Sequence, residues 1–418
     1  MAQLSDDCFA FGGELMPGSE ALRLIEARTV ALPEPEAVPL ARARDRILAS
    51  PVIAERSVPP HDNSAVDGYA VFFDDLAAGA ETVLPVEGRA TAGHPLAHRA
   101  RRGAAVRIFT GAPMPEGPDT VFMQEDCSED GGKVRLPAGL KRGANRRRAG
   151  EDVTAGASVL PAGLRLRAQE IGLAASLGLT ELRVYRRLRV ALLSTGDEVR
   201  EPGTPLPTGA IYDANRYALR ALLEGLGAEV TDLGILPDER GAIQSALARA
   251  SETHDLIVSS GGMSTGEEDH MRAAVEAQGR LHFWRLAIKP GRPVAMGQVG
   301  RVPFLGLPGN PVAVMVTFLV LARPLILRLA GATEIAPRSF CAVSGFAYRK
   351  KPGRREYLRA RLTPGPEGAW IAQKFPRDGA GILSSMVNSD GLVVLDETAT
   401  DVAPGDGVCF LPFREVID

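Results

Sequence analysis

Asp255 to Gly279, DLIVSSGGMSTGEEDHMRAAVEAQG, reads as a strand, a glycine turn and a helix in one continuous unit. Leu256, Ile257 and Val258 form a short apolar run that stops at Ser259, Ser260, Gly261 and Gly262, residues that favour a turn over further sheet. The spacing predicts a helix from near Thr265. That threonine caps the first turn while Glu268 reaches back to it; Met271, Ala274 and Val275 share one face, and Gly279 ends the helix. Glycines let backbone amides approach a ligand, and a helix N-terminus adds partial positive charge, so an anion is invited there. Glu267, Glu268 and Asp269 occupy the same place and would repel a bare phosphate. The expected arrangement is therefore a divalent cation between carboxylates and phosphate, bound through oxygen and water as magnesium is. A capped helix whose acidic first turn suits its dipole, worth roughly 0.3 to 1 kcal/mol per charge, accounts for the same residues without a ligand.

Around this unit, strand-like RVALLS (189–194) and VPFLGL (302–307) alternate with helical RYALRALLEGLG (216–227) and ERGAIQSALARASE (239–252). The alternation predicts a three-layer α/β domain with a mostly parallel sheet over 188–331. Ligands of such sheets bind at the carboxyl ends of the strands. Polar turns fall there: Ser194 to Glu198, Ser259 to Asp269, and Pro308, Gly309 and Asn310, with Lys289, Pro290, Gly291 and Arg292 as a further turn carrying two cations.

The N-terminal region, 18–187, divides into helical and linker parts (18–56 and 141–187) around a β-rich part (57–140). Ser19 is expected to cap a first helix, ARARDRILA (41–49) to form a second, and LPEPEAVPL to link them in extended form. From Arg56 to Asp75, prolines lead into a polar turn with Asp62, Asn63, Ser64, Asp67 and Gly68, then a strand at Tyr69; Asx and serine turns explain such a composition by themselves. The basic run 141–152 is expected to be a solvated hinge or an arm reaching an anion. Beyond the apolar helix 312–331, short strands over 339–414 predict a small β-barrel or sandwich. Its basic residues Arg349, Lys350, Lys351, Arg354, Arg355, Arg359 and Arg361 read as a sheet edge or solvated face.

At 418 residues the chain accommodates about three domains. A net charge of −3 argues against a general nucleic-acid binder. Cys8, Cys127, Cys341 and Cys409 show no paired spacing, which fits reduced thiols in a cytosol. Pro95 between His94 and His98 favours loop histidines over a metal pair. There is no basic flank followed by an apolar stretch near the start, and Val312–Ala322 is too short an apolar run to span a bilayer. The expectation is a soluble cytoplasmic protein that binds neither nucleic acid nor membrane.

Taken in order, DNSAVDGYAV, RIFTGAPMPEGPDTV, GANRRRAGED, LLSTGDEV, IYDANRYAL, SSGGMSTGEED, AIKPGRPVAMG and LPGNPVA resemble the MoeA and gephyrin E-domain family of molybdopterin molybdenumtransferases over nearly the whole chain. The resemblance implies ligation of molybdate to the dithiolene of adenylylated molybdopterin, with cleavage of the phosphoanhydride and release of AMP. It implies a catalytic cleft containing Asp67, Thr110, Glu198 and Asp269, with Mg2+ held by Asp269 together with Glu198 or Asp67. Binding of the pterin nucleotide is implied for Ser194, Thr195, Gly196, Asp213 and Asn215. The same holds for Ser260, Gly261, Gly262, Ser264 and Gly266, for Pro308, Gly309 and Asn310, and for Arg147 and Asp238. Molybdate is expected at Lys289, Arg292, Arg354 and Ser384 or Ser385, since cations with hydroxyl donors suit a tetrahedral dianion. Arg292 stands where the family commonly has lysine, Val66 where methionine is usual, and Ser389-Asp390 where Ala-Asn is usual. The family further implies a homodimer, with a molybdopterin adenylyltransferase, molybdoenzymes or their chaperones as partners. Two alternatives remain at this point: molybdopterin adenylylation, because that family resembles 188–331, and a non-catalytic scaffold of the gephyrin type.

Overall fold

A computed structural model describes residues 15–261, 270–291 and 293–417. The chain forms two compact units. The smaller contains Pro51–Pro161 and Ala168–Glu181; the larger contains the segment before Pro51, Ala162–Arg167 and everything from Leu182 onward. The expected N-terminal region, 18–187, is thus shared between them.

The first helix, α1 (Gly18–Arg28), belongs to the larger unit. Pro17 occupies its N-cap and no side chain caps it, so Ser19 does not play the expected part; burial of Ala21, Leu24 and Ile25 anchors the helix instead. The second helix does not form at 41–49. Leu40–Arg42 makes a single 3-10 turn, Asp45 takes a φ of 61°, and Ile47 and Leu48 bridge to Arg165 and Val184. Buried Arg46 bonds Glu36 and the Tyr185 carbonyl, so tertiary pairing overrides the helical preference of Ala, Arg and Leu.

In the smaller unit six strands, β1 (Gly68–Val71), β2 (Thr82–Ala90), β3 (Ala105–Ile108), β4 (Thr120–Met123), β5 (Ser128–Asp130) and β6 (Lys133–Leu136), pair in the order β4-β1-β3-β2-β6-β5. Alternate residues pack on opposite faces: Tyr69, Val71 and Phe122 on one, Ala70, Val106 and Ile108 on the other. Gly68 pairs with Ile108, so the turn before β1 and the turn after β3 are neighbours. Helix α2 (Ala168–Ser176) completes the unit.

The larger unit carries the sheet read from the sequence. Strands β7 (Arg189–Thr195), β8 (Glu229–Leu236), β9 (Leu256–Ser260), β10 (Gly279–Arg285), β11 (Pro293–Val299) and β12 (Val302–Leu307) pair as β8-β7-β9-β12-β11-β10. The first four are parallel and the last two antiparallel. Helices α3 (Ala214–Gly225), α4 (Arg240–Thr253) and α5 (His270–Glu276) follow β7, β8 and β9. Val190, Leu192 and Val258 enter one core, Ala191, Leu193 and Ile257 the other, which explains why these strands read as unbroken apolar runs. Helix α6 (Pro311–Leu329) fills nearly all of the expected 312–331, through a π-helical middle at Phe318–Ala322. Its 19 residues have the length and apolarity of a membrane span, yet 78% of its apolar window is buried within the fold, as befits a core helix.

Just ahead of β9, Asp255 accepts hydrogen bonds from Arg186 Nη1 (2.6 Å) and Nη2 (2.8 Å) and from the Arg189 amide (2.8 Å). Burial pushes its carboxyl up, but these bonds outweigh burial and leave it below the ordinary carboxylate value. A depressed carboxylate stabilises above its unfolded pKa and loses that contribution as pH falls through its folded one. Asp255→Ala is expected to cost roughly 2–4 kcal/mol in urea unfolding at neutral pH. The deficit should shrink as both proteins are acidified below about pH 4.

After α6, β13 (Phe340–Ser344), β14 (Arg355–Pro364), β15 (Trp370–Lys374), β16 (Gly391–Leu395) and β17 (Gly407–Pro412) close into a barrel, β14-β15-β13-β17-β16 and back to β14. Cys341 and Cys409, far apart in sequence, are register partners on β13 and β17, both as free thiols. The basic residues of this domain are not all a solvated face: Lys350 is 6% and Arg359 3% exposed. Strand β14 is covered on both sides, with Tyr357 in the core beneath α6 and Leu358 and Ala360 inside the barrel, so its charges are drawn inward with it.

Candidate active site

The carboxyl ends of β7 and β9 meet in the larger unit, where Ser194 pairs with Ser260. Ser194, Thr195 and Ser260 are buried, and the hydroxyls of Ser194, Thr195 and Ser259 have no hydrogen-bond partner among the described residues. Buried hydroxyls left without partners mark a place where a polar ligand or water belongs. Gly261 turns away with a φ of 81°, and a Cβ there would lie 2.7 Å from the Thr195 carbonyl oxygen. Only glycine lets the two strand ends approach this closely. Gly261→Ala is expected to destabilise the protein by about 1–3 kcal/mol in urea unfolding and to displace Thr195.

After β7 the backbone of Gly196 lies under the exposed Glu198 carboxylate, whose Oε2 is 2.7 Å from where a Gly196 Cβ would stand. Asp213 is buried and caps α3, accepting from the Arg216 amide and Nε at 3.0 Å each. Asn215 donates to the Gly309 carbonyl (2.7 Å), tying α3 to the Pro308-Gly309-Asn310 turn that opens α6. Asp238 follows β8, whose Leu236 pairs with Thr195.

A cavity of about 610 Å³ opens beside these turns, lined by Glu198, Gly261, Lys289, Gly309, Arg354 and Arg359 among others. The two-residue strand Ile288–Lys289 runs parallel to β14 and sets Lys289 opposite Glu356. Lys289 Nζ lies 3.0 Å from Glu356 Oε2 and 3.3 Å from the Tyr348 hydroxyl, which itself donates to Glu356 at 2.7 Å. Burial pushes the ammonium down, but its bonds to Glu356 and Tyr348 outweigh that and hold it above the ordinary lysine value. Gly291, at a φ of 100°, brings this turn against α6: a Cβ would stand 2.3 Å from Thr317 Oγ1, itself without a partner among the described residues.

Arg354 lines the cavity half-buried. Arg359, which the sequence reading assigned to a solvated face, projects from β14 with Nε 3.0 Å from Ser385 Oγ and Nη2 3.1 Å and 3.3 Å from the carbonyls of Arg377 and Gly379. Burial lowers its pKa from the ordinary arginine value. The sequence signal for it was the alternation Arg355, Tyr357, Arg359 on one face of β14. Glu356 and Tyr348 were likewise not singled out. Ser385 is fully buried and its hydroxyl donates to the Ile382 carbonyl (2.6 Å), whereas Ser384 is exposed. Asp390 turns to the Leu362 amide (2.8 Å) and Ser389 to the Ser385 carbonyl (2.7 Å). Gly262, Ser264, Gly266, Asp269 and Arg292, together with the expected helix start at Thr265, lie outside the described residues.

In the smaller unit Asp67 Oδ1 accepts from both the amide and the hydroxyl of Thr110, each at 2.8 Å. The amide and hydroxyl bonds, with help from Arg107, hold its carboxyl below the ordinary value, so it carries full charge at neutral pH. Arg147 lies on a short strand pairing with Asn63 and is exposed. Among the described residues no three acidic, histidine or cysteine side chains gather as a metal cluster. Glu198 is a single open carboxylate at the cavity edge, the kind of ligand that binds magnesium jointly with substrate phosphate and water.

Residues 16–178 match the MoeA N-terminal region (domain I and II), residues 191–328 a probable molybdopterin binding domain, and residues 342–413 the MoeA C-terminal region (domain IV). A molybdopterin molybdenumtransferase of Haemophilus influenzae is 40% identical over 380 residues, 90% of this chain and 94% of that one. Another from Nostoc sp. is 37% identical over 385 residues, 90% of this chain and 88% of that one. A crystal structure of the molybdopterin biosynthesis MoeA protein from Pyrococcus horikoshii aligns with a TM-score of 0.82 at 27% identity, covering 96% of this chain and 100% of that one.

Proposed function

Because this chain belongs to the MoeA family, we propose that it is a molybdopterin molybdenumtransferase acting in molybdenum cofactor biosynthesis. In detail, molybdate is ligated to the dithiolene of adenylylated molybdopterin while the phosphoanhydride is cleaved and AMP leaves. The observation that carries this reading is the cavity of the larger unit, lined by the cations Lys289, Arg354 and Arg359 together with Glu198, Gly261 and the Pro308-Gly309-Asn310 turn.

The residues divide the task. Ser194, Thr195 and the Gly261 turn offer hydroxyls and close backbone to the phosphate-bearing substrate, and Asn215 holds the Gly309 turn in place. Lys289, kept charged by Glu356 and Tyr348, faces the oxyanion with Arg354. Glu198 would hold Mg2+, which supplies charge neutralisation at the phosphoanhydride. The charged Asp67, steadied by Thr110, is a second catalytic carboxylate of the reading, and a symmetric homodimer is its assembly. Matches to the N- and C-terminal MoeA regions separate this activity from molybdopterin adenylylation, for which the resemblance covers the central domain alone.

The test is incubation with adenylylated molybdopterin, magnesium and molybdate, following AMP and metallated pterin together. Both products are expected, each dependent on molybdate, and Glu198→Gln should lower kcat by roughly a hundredfold. ATP-dependent adenylylation of pterin without molybdate would instead establish the other enzyme.

A further inference from the structure

Half of the charged side chains described as lining the cavity are already matched. Lys289 is paired with Glu356 at 3.0 Å, and Asp378 with Lys374 at 2.6 Å. Arg359 differs: it is 3% exposed, yet no carboxylate among the described residues lies in ion-pair contact with it. Its Nε is fixed by Ser385 and its Nη2 by two carbonyls, while Nη1 makes no hydrogen bond to any described residue. Ser385, accepting from Nε and donating to Ile382, is fully engaged in holding this orientation. Asp378 attracts Arg359 across the cavity but is held in contact by Lys374 instead, and a buried guanidinium without a contacting carboxylate is costly to fold around, a cost that an anion entering the cavity relieves. Arg354, the other guanidinium at the wall, likewise has no carboxylate partner among the described residues. Of the lining carboxylates Glu356 and Asp378 are paired and Glu198 is the one assigned to Mg2+, which leaves two guanidiniums for one doubly charged anion.

We propose that Arg359, oriented by Ser385, is a specificity-determining residue that with Arg354 makes the cavity select a tetrahedral dianion over a tetrahedral monoanion of the same size. The assignment rests on the oxyanion reading of this cavity and adds to it the residue that sets the charge preference.

The experiment compares molybdate with perrhenate, a dianion with a monoanion of like shape, by calorimetric titration of the full chain in buffer free of phosphate and sulfate. The parent is expected to prefer molybdate. In Arg359→Gln, molybdate affinity should fall roughly ten- to hundredfold while perrhenate affinity changes far less, a loss of discrimination that mere loosening of the fold would not produce. A folded Arg359→Gln that keeps the parent's molybdate-to-perrhenate ratio overturns the proposal. If that variant does not fold, Arg359→Met, which keeps the length but not the charge, carries the test; a molybdate-to-perrhenate ratio equal to the parent's would then sink the assignment. A parent that selects molybdate through Arg359 but forms no metallated pterin supports the assignment and refutes the proposed reaction.

Discussion

Arg216→Ala is expected to cost about 3–5 kcal/mol of stability, the largest loss among substitutions away from the apolar cores. Arg216 is buried at the start of α3 and bonds three carboxylates, Asp213 at 3.0 Å, Asp232 and Glu201. Burial works against its charge, but the bonds to Asp232 and Asp213 more than offset burial and raise its pKa above the ordinary arginine value. Removing it strands Asp213, the cap of α3, as an uncompensated carboxylate only 4% exposed. The damage should reach the site. Glu201 lies three residues beyond Glu198, and α3 holds Asn215 against the Gly309 turn, so substrate affinity should fall together with stability. Arg216→Lys should recover only part, because one ammonium does not serve three carboxylates as a planar fork does. Urea unfolding measures the first effect; a loss below about 1 kcal/mol would mean that the network is a surface pairing.

Glu356→Ala should cost about 2–4 kcal/mol and, under the proposed reaction, lower kcat/KM at least tenfold. Glu356 is 2% exposed, and its carboxylate fixes both Lys289 and the Tyr348 hydroxyl. Without it the ammonium loses its counter-charge and swings toward solvent, taking with it the cation that faces the oxyanion. Linkage gives a pH signature. Lys289 is raised in the folded protein, so its contribution is fully present below the ordinary lysine pKa and disappears as pH climbs through the folded value. The stability gap between parent and variant should therefore stay constant at neutral pH and narrow only above about pH 10. Glu356→Gln retains shape and the Tyr348 contact but not the charge, and should fall between the two.

Much of the central domain was legible because its physics is local. Apolar runs closed by glycine and serine announced the parallel strands, and from the polar turns at their ends Glu198, Gly261 and Pro308 to Asn310 line one cavity with Lys289 and Arg354. What could not be read was set by distant packing. Residues 41–49 have helical composition, but Ile47 and Leu48 are drawn into bridges with segments far along the chain. Arg359 looks like a surface charge until β14 is seen covered on two sides, and Lys350 until its ammonium is seen bonded to the Asp396 and Ala399 carbonyls. The pairing of Cys341 with Cys409 depends on barrel closure, which no spacing encodes. Asp213 illustrates the reverse: it was expected at the nucleotide, and its carboxylate is occupied as a helix cap bonded to Arg216.

The most direct measurement is anomalous scattering at the molybdenum edge from crystals of the protein soaked in molybdate. A single strong peak within hydrogen-bond reach of Arg354 and Arg359, on the side of the cavity facing Lys289, is the predicted result. Protein that is active in molybdate transfer but gives no peak in this cavity, or places its molybdenum elsewhere, would contradict the account.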